Sequence, residues 1–128
     1  MELNDYQEKA MTTCMPSSEN FSYMMLNLVG EVGEFASKVA KAIRKEQAQI
    51  GGFVDMGISP KNALNFKEFP TCIEQETELK KEAGDILWQL SGLCYVMGWK
   101  LEDVAQTNLD KLASRKERNV IDGNGDNR

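Results

Sequence analysis

Histidine is absent from the 128 residues of this chain, which excludes imidazole as a general base, as the partner of a nucleophile and as a metal ligand. Cysteine is scarce. Cys14, Cys72 and Cys94 are odd in number and widely spaced, which fits neither a disulfide framework nor a CxxC zinc site. We expect reduced, mostly structural thiols. Any chemistry must therefore be carried out by carboxylates, lysines, arginines, hydroxyls or thiols.

Positive charge is also in short supply, because 15 basic residues stand against 20 acidic ones and the net charge is −5. This balance gives no long-range attraction to nucleic acids or anionic membranes, although a local basic patch could still meet a small anion. Long hydrophobic runs are missing too. The most apolar stretch, Ile86 to Trp99, contains Gln89 and Ser91 and is shorter than the roughly 20 residues that span a bilayer. The first residues show no secretory signal, so we expect a cytoplasmic protein without nucleic-acid or membrane partners.

The remaining composition favours a single all-α domain over residues 1–128, because 41% of the residues are hydrophobic and apolar positions recur at helical spacing. Gly98 should end the third helix in a left-handed conformation. The sequence predicts four helices, at about 4–15, 20–47, 74–97 and 101–118, followed by an irregular tail at 119–128.

The segment 48–73 interrupts the helical pattern. Gly51-Gly52, Gly57, Pro60 and Pro70 punctuate it, and no strand-like alternation is evident. We therefore predict a long loop between the second and third helices. A connection of this length indicates either a functional lid or a short helix that the pattern does not locate.

Two pairs of acids lie at the edges of apolar helix faces. Glu31 and Glu34 are three residues apart in GEVGEF, and Glu82 and Asp85 repeat the spacing in the third helix. Gathered in a helical bundle, four carboxylates repel unless some are protonated or a divalent cation neutralises them, and an all-oxygen ligand set suits Mg²⁺ or Mn²⁺. The alternative is that Glu31 and Glu34 pair with Lys38 and neighbouring bases, while Glu82 and Asp85 simply solvate a helix rim.

The fourth helix carries a basic stripe beside its apolar side. Its members fall within an arc of about 80° around the helix axis, a spacing that suits recognition of a polyphosphate through charge-assisted hydrogen bonds. They are Asn108, Lys111, Arg115 and Arg118. The alternative is an ordinary solvated face that pairs with Asp110 and Glu117.

These motifs together resemble the MazG-like branch of the all-α nucleoside triphosphate pyrophosphohydrolases, which includes the dCTP pyrophosphatases. The resemblance covers about residues 20 to 118 apart from the central loop, and its ordered motifs are ExxE, ExxD and Asn-x-x-Lys-x-x-x-Arg. They lie in LVGEVGEF (28–35), ELKKEAGDILWQL (78–90) and LEDVAQTNLDKLASRKER (101–118).

The resemblance implies a four-helix-bundle-like fold that converts a nucleoside triphosphate to the monophosphate and pyrophosphate, a form of nucleotide-pool housecleaning. It implies that the four acids Glu31, Glu34, Glu82 and Asp85 coordinate Mg²⁺. It also implies that Asn108, Lys111 and Arg115 bind phosphates, with Arg118 as a weaker candidate. Gly30 stands where many members carry another Glu, although the dCTP-specific branch keeps Gly there. The 47 residues between Glu34 and Glu82 leave the substrate open.

Without histidine, a carboxylate must accept the proton of the attacking water, and the spacing favours Glu34 first and Glu31 second. Aromatic candidates for stacking on the base are Phe21 and Trp88, and Tyr95 and Phe53 are further candidates. Packing in the core explains each of them as well.

The third helix is apolar on two sides, which predicts a homodimer or homotetramer. Competing interpretations are a non-enzymatic helical interaction module, and a dUTP-type or phosphoribosyl-ATP-type pyrophosphohydrolase.

Overall fold

The computed structural model of the chain describes residues 1–50, 63–67 and 70–127. The mostly helical fold class that the sequence predicts is confirmed. Four α-helices are joined by a short 3₁₀ turn, Pro16–Ser18, and a small two-stranded sheet. In chain order the helices and strands are α1 (Leu3–Met11), α2 (Phe21–Arg44), β1 (Ala48–Ile50), β2 (Leu64–Phe66), α3 (Thr71–Val96) and α4 (Leu101–Glu117).

The two strands correct the expectation of an unstructured connection between α2 and α3. They pair antiparallel, with Gln49 opposite Asn65 at the centre of the ladder. Each strand has three residues, which is too short for the period-two alternation that reveals a strand in sequence. The pairing extends one step further, because the Lys67 N–H donates to the Gln47 carbonyl at 2.9 Å. The remaining parts of the predicted loop, 51–62 and 68–69, lie outside the described residues.

The helix ends follow local hydrogen bonding more closely than the apolar pattern. Helix α1 ends at Met11 and not near Met15, because the hydroxyls of Thr12 and Thr13 donate to the carbonyls of Lys9 and Ala10 at 2.6 and 2.7 Å. Helix α3 begins at Thr71, directly after Pro70 and three residues before the predicted start.

The predicted left-handed cap at Gly98 is confirmed, with φ 72°. The N–H of the following Trp99 donates to the Cys94 carbonyl at 2.8 Å, which closes a Schellman motif. Helix α2 ends in the same way at Glu46, whose φ of 58° is a conformation that costs an L-residue about 1 kcal/mol. The Gln47 N–H donates to the Ala42 carbonyl at 2.9 Å, so this turn directs Gln47 from the helix into β1.

The chain divides into two compact units, one formed by Met1–Met24 with Leu90–Arg128 and the other by Met25–Gln89. The expectation of a single domain stays a prediction. In the first unit, α1 caps α4. The Gln7 side-chain oxygen accepts the Leu101 N–H at 3.1 Å, and the Asn4 side-chain oxygen accepts the Glu102 N–H at 3.1 Å. These bonds satisfy donors at the start of α4 that its own N-cap residue leaves unbonded.

The interior of the first unit is built around Met24 and Cys94, which are both almost fully buried. Gly92 permits this packing, because a Cβ atom there would lie 2.4 Å from the Met24 sulfur. None of the described helices combines the length and the apolar character that crossing a membrane requires.

Candidate metal centre

Helix α2 supplies two of the four predicted acids. Glu31 is half-buried and Glu34, one turn further on, is exposed. Asn27 precedes Glu31 by one turn and donates from Nδ2 to Glu31 Oε1 at 3.0 Å. This hydrogen bond holds one Glu31 oxygen in place and leaves the other for a further partner. Asn27 was not predicted from the sequence, although its position four residues before Glu31 is the signal that would have found it.

Helix α3 supplies Glu82, which is 8% exposed. Its Oε1 accepts a hydrogen bond from the Lys38 ammonium of α2, and the two groups form an ion pair. Its second oxygen, Oε2, is buried and has no hydrogen-bond partner among the described residues. A buried carboxylate oxygen without a partner is costly, so this atom is the strongest local indication of a missing positive ligand.

The structure brings three of the four predicted carboxylates together. One oxygen from each of Glu31, Glu34 and Glu82 lies within 4.8 Å of the others. We call these three residues the carboxylate cluster. Asp85 is exposed and is not part of the carboxylate cluster. Its charge nevertheless acts on Glu31. Partial burial, followed by the charges of Glu34 and Asp85, raises the pKa of the Glu31 carboxyl, while the Asn27 hydrogen bond opposes the shift.

Lys38 is the cation that the structure shows bonded to the cluster. The hydrogen bond to Glu82 raises the pKa of the Lys38 ammonium, so the lysine stays charged. The alternative in which Lys38 pairs with the acids of its own helix is wrong, because its partner lies on α3. One lysine leaves three carboxylates under-neutralised. The all-oxygen donor set and the unpartnered Glu82 Oε2 fit a hard divalent cation such as Mg²⁺ or Mn²⁺.

The predicted basic stripe of α4 belongs to the first unit and is only partly free. Arg115 is buried, at 5% exposure, and its Nη2 donates to Asp126 Oδ1 at 2.8 Å and to the Asp126 carbonyl at 3.2 Å. Lys111 Nζ lies 3.4 Å from the same carboxylate oxygen. Arg115 and Lys111 hold the pKa of Asp126 below its usual range. Asp110 and Glu117 were the partners expected from the sequence, whereas the partner in the structure is Asp126 of the tail, eleven residues beyond Arg115.

The other members of the stripe remain at the surface. Asn108 is exposed, and Arg118 Nε donates to the Ser114 hydroxyl at 3.2 Å. Phosphate binding by Asn108, Lys111, Arg115 and Arg118 stays a prediction.

The aromatic candidates for base binding are dispersed. Phe21 is exposed at the start of α2 and Tyr95 is exposed near the end of α3, both in the first unit. Trp88 is half-buried in the second unit. Phe53 lies outside the described residues. Base binding by these residues stays a prediction.

Comparison with known families adds to this geometry. The family model for the MazG nucleotide pyrophosphohydrolase domain matches residues 19–120. The chain belongs to this MazG family. A relative named Gene 37 protein, from Mycobacterium phage L5, is 37% identical over 112 residues, covering 88% of this chain and 80% of the phage protein. No solved structure matches the chain.

The MazG match confirms the family resemblance that the sequence motifs indicated, and its span contains both acid pairs and the stripe of α4. It does not distinguish a dCTP pyrophosphatase from other branches. Membership indicates a nucleotide pyrophosphohydrolase, and the carboxylate cluster lies within the matched residues.

Proposed function

We propose that this protein hydrolyses a nucleoside triphosphate to the nucleoside monophosphate and pyrophosphate, with a divalent metal ion held by the carboxylate cluster. The observation that carries the proposal is the convergence of Glu31, Glu34 and Glu82 from two helices, with oxygens within 4.8 Å of one another. Like charges at this separation repel, so an arrangement that keeps them together favours a bound cation.

Glu31, Glu34 and Glu82 would hold the ion, and Asp85, whose charge acts on Glu31, would join them or bond to a ligand of the ion. When bound, Mg²⁺ supplies Lewis acidity toward the phosphate oxygens and the attacking water. The protein supplies the proton acceptor. Glu34 is our first choice because it is exposed and a water can reach it, whereas Glu82 is already bonded to Lys38. Glu31 is the second choice.

The leaving pyrophosphate needs positive charge, and the stripe of α4 is our candidate for it. Asn108 and Lys111 are exposed and can meet an anion directly. Arg115 would have to exchange its Asp126 partner for phosphate oxygens, which accept charge-assisted hydrogen bonds as the carboxylate does. Arg118 is the weaker member of the set. We assign it a supporting role.

We also propose that the active form is a homodimer or homotetramer. Helix α2 exposes Leu26 and Val29 to 76% and 67%, and Val32 continues the same apolar surface toward the acids. Exposed apolar residues that follow one helix are typical of an interface between chains. Light scattering should show more than one chain per particle, and a stable, active monomer would contradict this.

The test of the activity is release of pyrophosphate from a panel of canonical and modified nucleoside triphosphates, with Mg²⁺ and with EDTA. We expect Mg²⁺-dependent release from at least one of them. The panel includes dCTP, dUTP and phosphoribosyl-ATP, because these three substrates separate the branches of the superfamily that the motifs resemble. No release from any substrate, together with no stabilisation by Mg²⁺, would favour the non-enzymatic interaction module.

Two substitutions test the site. Glu34→Gln and Asp85→Asn should each lower kcat by about 100-fold or more, because a lost ligand or proton acceptor is a loss in the transition state. Glu76→Gln is the matched control, since Glu76 is an exposed acid of α3 that bonds to Lys80. Circular dichroism should show the same helical content in all three. Near wild-type turnover in both site variants would remove the assignment.

A further inference from the structure

A cleft of about 430 Å³ opens in the second unit where α2 ends, β2 passes and α3 begins. Its size is that of a small-molecule site. Six of its lining residues carry the argument: Lys38, Lys41, Lys45, Gln47, Phe66 and Gln75. The metal role and the stripe of α4 use none of these residues except Lys38.

One wall of the cleft is cationic. Lys38, Lys41 and Lys45 are spaced three and four residues apart, so they lie along one face of α2 over about 10 Å. The row begins at the carboxylate cluster, because Lys38 is bonded to Glu82. Two glutamates, Glu74 and Glu78, also line the cleft, Glu78 is bonded to Lys81 at 2.5 Å, and Lys38 is paired with Glu82. Lys41 and Lys45 form no ion pair with the described residues, so they are the lysines of the row that are open to an anion. Three ammonium groups beside a metal site suit a phosphate that lies at the metal.

The far end of the cleft carries groups that can recognise a nucleobase. Gln75 Nε2 donates to Gln47 Oε1 at 3.3 Å, so the pair is left presenting the Gln47 amide N–H groups and the Gln75 carbonyl oxygen. Gln47 is fixed by the Schellman turn of α2 and by the backbone bond from Lys67. Phe66 of β2 is half-buried and offers an aromatic face beside these amides.

We propose that this cleft binds the nucleoside monophosphate half of the substrate. The α-phosphate lies at the Lys38 and Lys41 end, next to the carboxylate cluster, and the base lies against Phe66 between the amides of Gln47 and Gln75. The inference rests on the proposed function and names the residues that choose the base. It is an alternative to base binding by Phe21 and Trp88, which stays a prediction.

The first arm of the test measures, by calorimetry, the binding of nucleoside monophosphates to the full chain in EDTA. We expect Lys41→Met to weaken binding by about tenfold, because one charge-assisted contact is lost. Lys80→Met is the control, since Lys80 is an exposed lysine of α3 outside the cleft. Equal affinity in wild type, Lys41→Met and Lys80→Met would overturn the placement of the phosphate. Because this arm needs neither metal nor turnover, it remains informative if the proposed activity fails.

The second arm compares kcat/KM across the triphosphate panel for wild type and for Gln75→Met, which keeps the side-chain length and removes the amide. We expect the ratio between preferred and non-preferred bases to fall about tenfold, because a polar group that reads the base is gone. The circular dichroism spectrum should be unchanged. An unchanged ratio in Gln75→Met and in a second variant, Gln47→Met, would overturn the base site. Absence of pyrophosphate release from wild type would instead refute the proposed function.

Discussion

Two buried charged side chains, Arg115 on α4 and Glu82 on α3, lie in opposite kinds of surroundings. Arg115 is held by the tail through the carboxylate and carbonyl of Asp126. Glu82 is bonded to Lys38 by one oxygen, its other oxygen has no partner in the part of the chain that the structure describes, and two further carboxylates stand within 4.8 Å. Arg115 has an oppositely charged partner, whereas Glu82 has one oppositely charged partner and two neighbours of its own charge.

This difference separates a charge that the fold itself satisfies from one that the fold leaves partly unsatisfied. Arg115 Nε is also unpartnered within the described ranges. Its Nη2, however, donates to Asp126 and so holds the tail against α4. Lys38 satisfies only one oxygen of Glu82, and a buried carboxylate oxygen without a partner is expensive for a fold to keep without a ligand. Arg115 should therefore matter most for stability, and Glu82 most for metal binding.

The largest effect should come from removing Arg115. Arg115→Ala should lower the free energy of unfolding by about 2 kcal/mol, because the side chain loses both its packing and its charged hydrogen bonds. Glu82→Gln should change it by no more than about 1 kcal/mol in EDTA, since losing the Lys38 partner is offset by weaker repulsion within the cluster. Urea denaturation measures both variants. An equal cost for the two would contradict the comparison.

Replacing Lys38 should sharpen the comparison with a smaller effect. Lys38 occupies one oxygen of Glu82, so Lys38→Met should lower the stability in EDTA and bind Mn²⁺ severalfold more tightly than wild type. Thermal denaturation with and without Mn²⁺ gives both readouts. Lys80→Met, which breaks an exposed pair on α3, should change neither. Unaltered Mn²⁺ affinity in Lys38→Met would mean that lysine and metal do not compete for Glu82.

The smallest effect concerns the turn that positions Gln47. Glu46→Gly should raise the free energy of unfolding by about 0.5–1 kcal/mol, because glycine adopts the positive φ of this position without strain. Gly98→Ala, at a turn that already has glycine, should lower it by a similar amount. Urea denaturation of both variants checks the opposite signs. A loss of stability in Glu46→Gly would show that the Glu46 side chain stabilises the turn.

The sequence predicted what repeats along a helix. The spacing of Glu31 and Glu34 placed both on one face, and the apolar neighbours of Glu82 indicated the burial that the structure shows. The glycine cap at Gly98 followed from a single residue with a strong conformational preference.

What the sequence did not predict depends on segments that meet only in the folded chain. Three-residue strands carry too little pattern to be recognised, so the pairing of β1 with β2 was missed. The bond from Arg115 to Asp126 needs a turn-rich tail to reverse direction. The bond between Lys38 and Glu82 links residues 44 positions apart, and the cleft beside it gathers residues from α2, β2 and α3.

The central claim is that the carboxylates of α2 and α3 hold a divalent cation together. Calorimetric titration of metal-free protein with Mn²⁺ tests it most directly, in wild type, Glu82→Gln and the Glu76→Gln control. We predict a saturable site in wild type and in the control, and an affinity at least about tenfold weaker in Glu82→Gln. Equal affinity in all three proteins, or no binding to wild type, would contradict the claim.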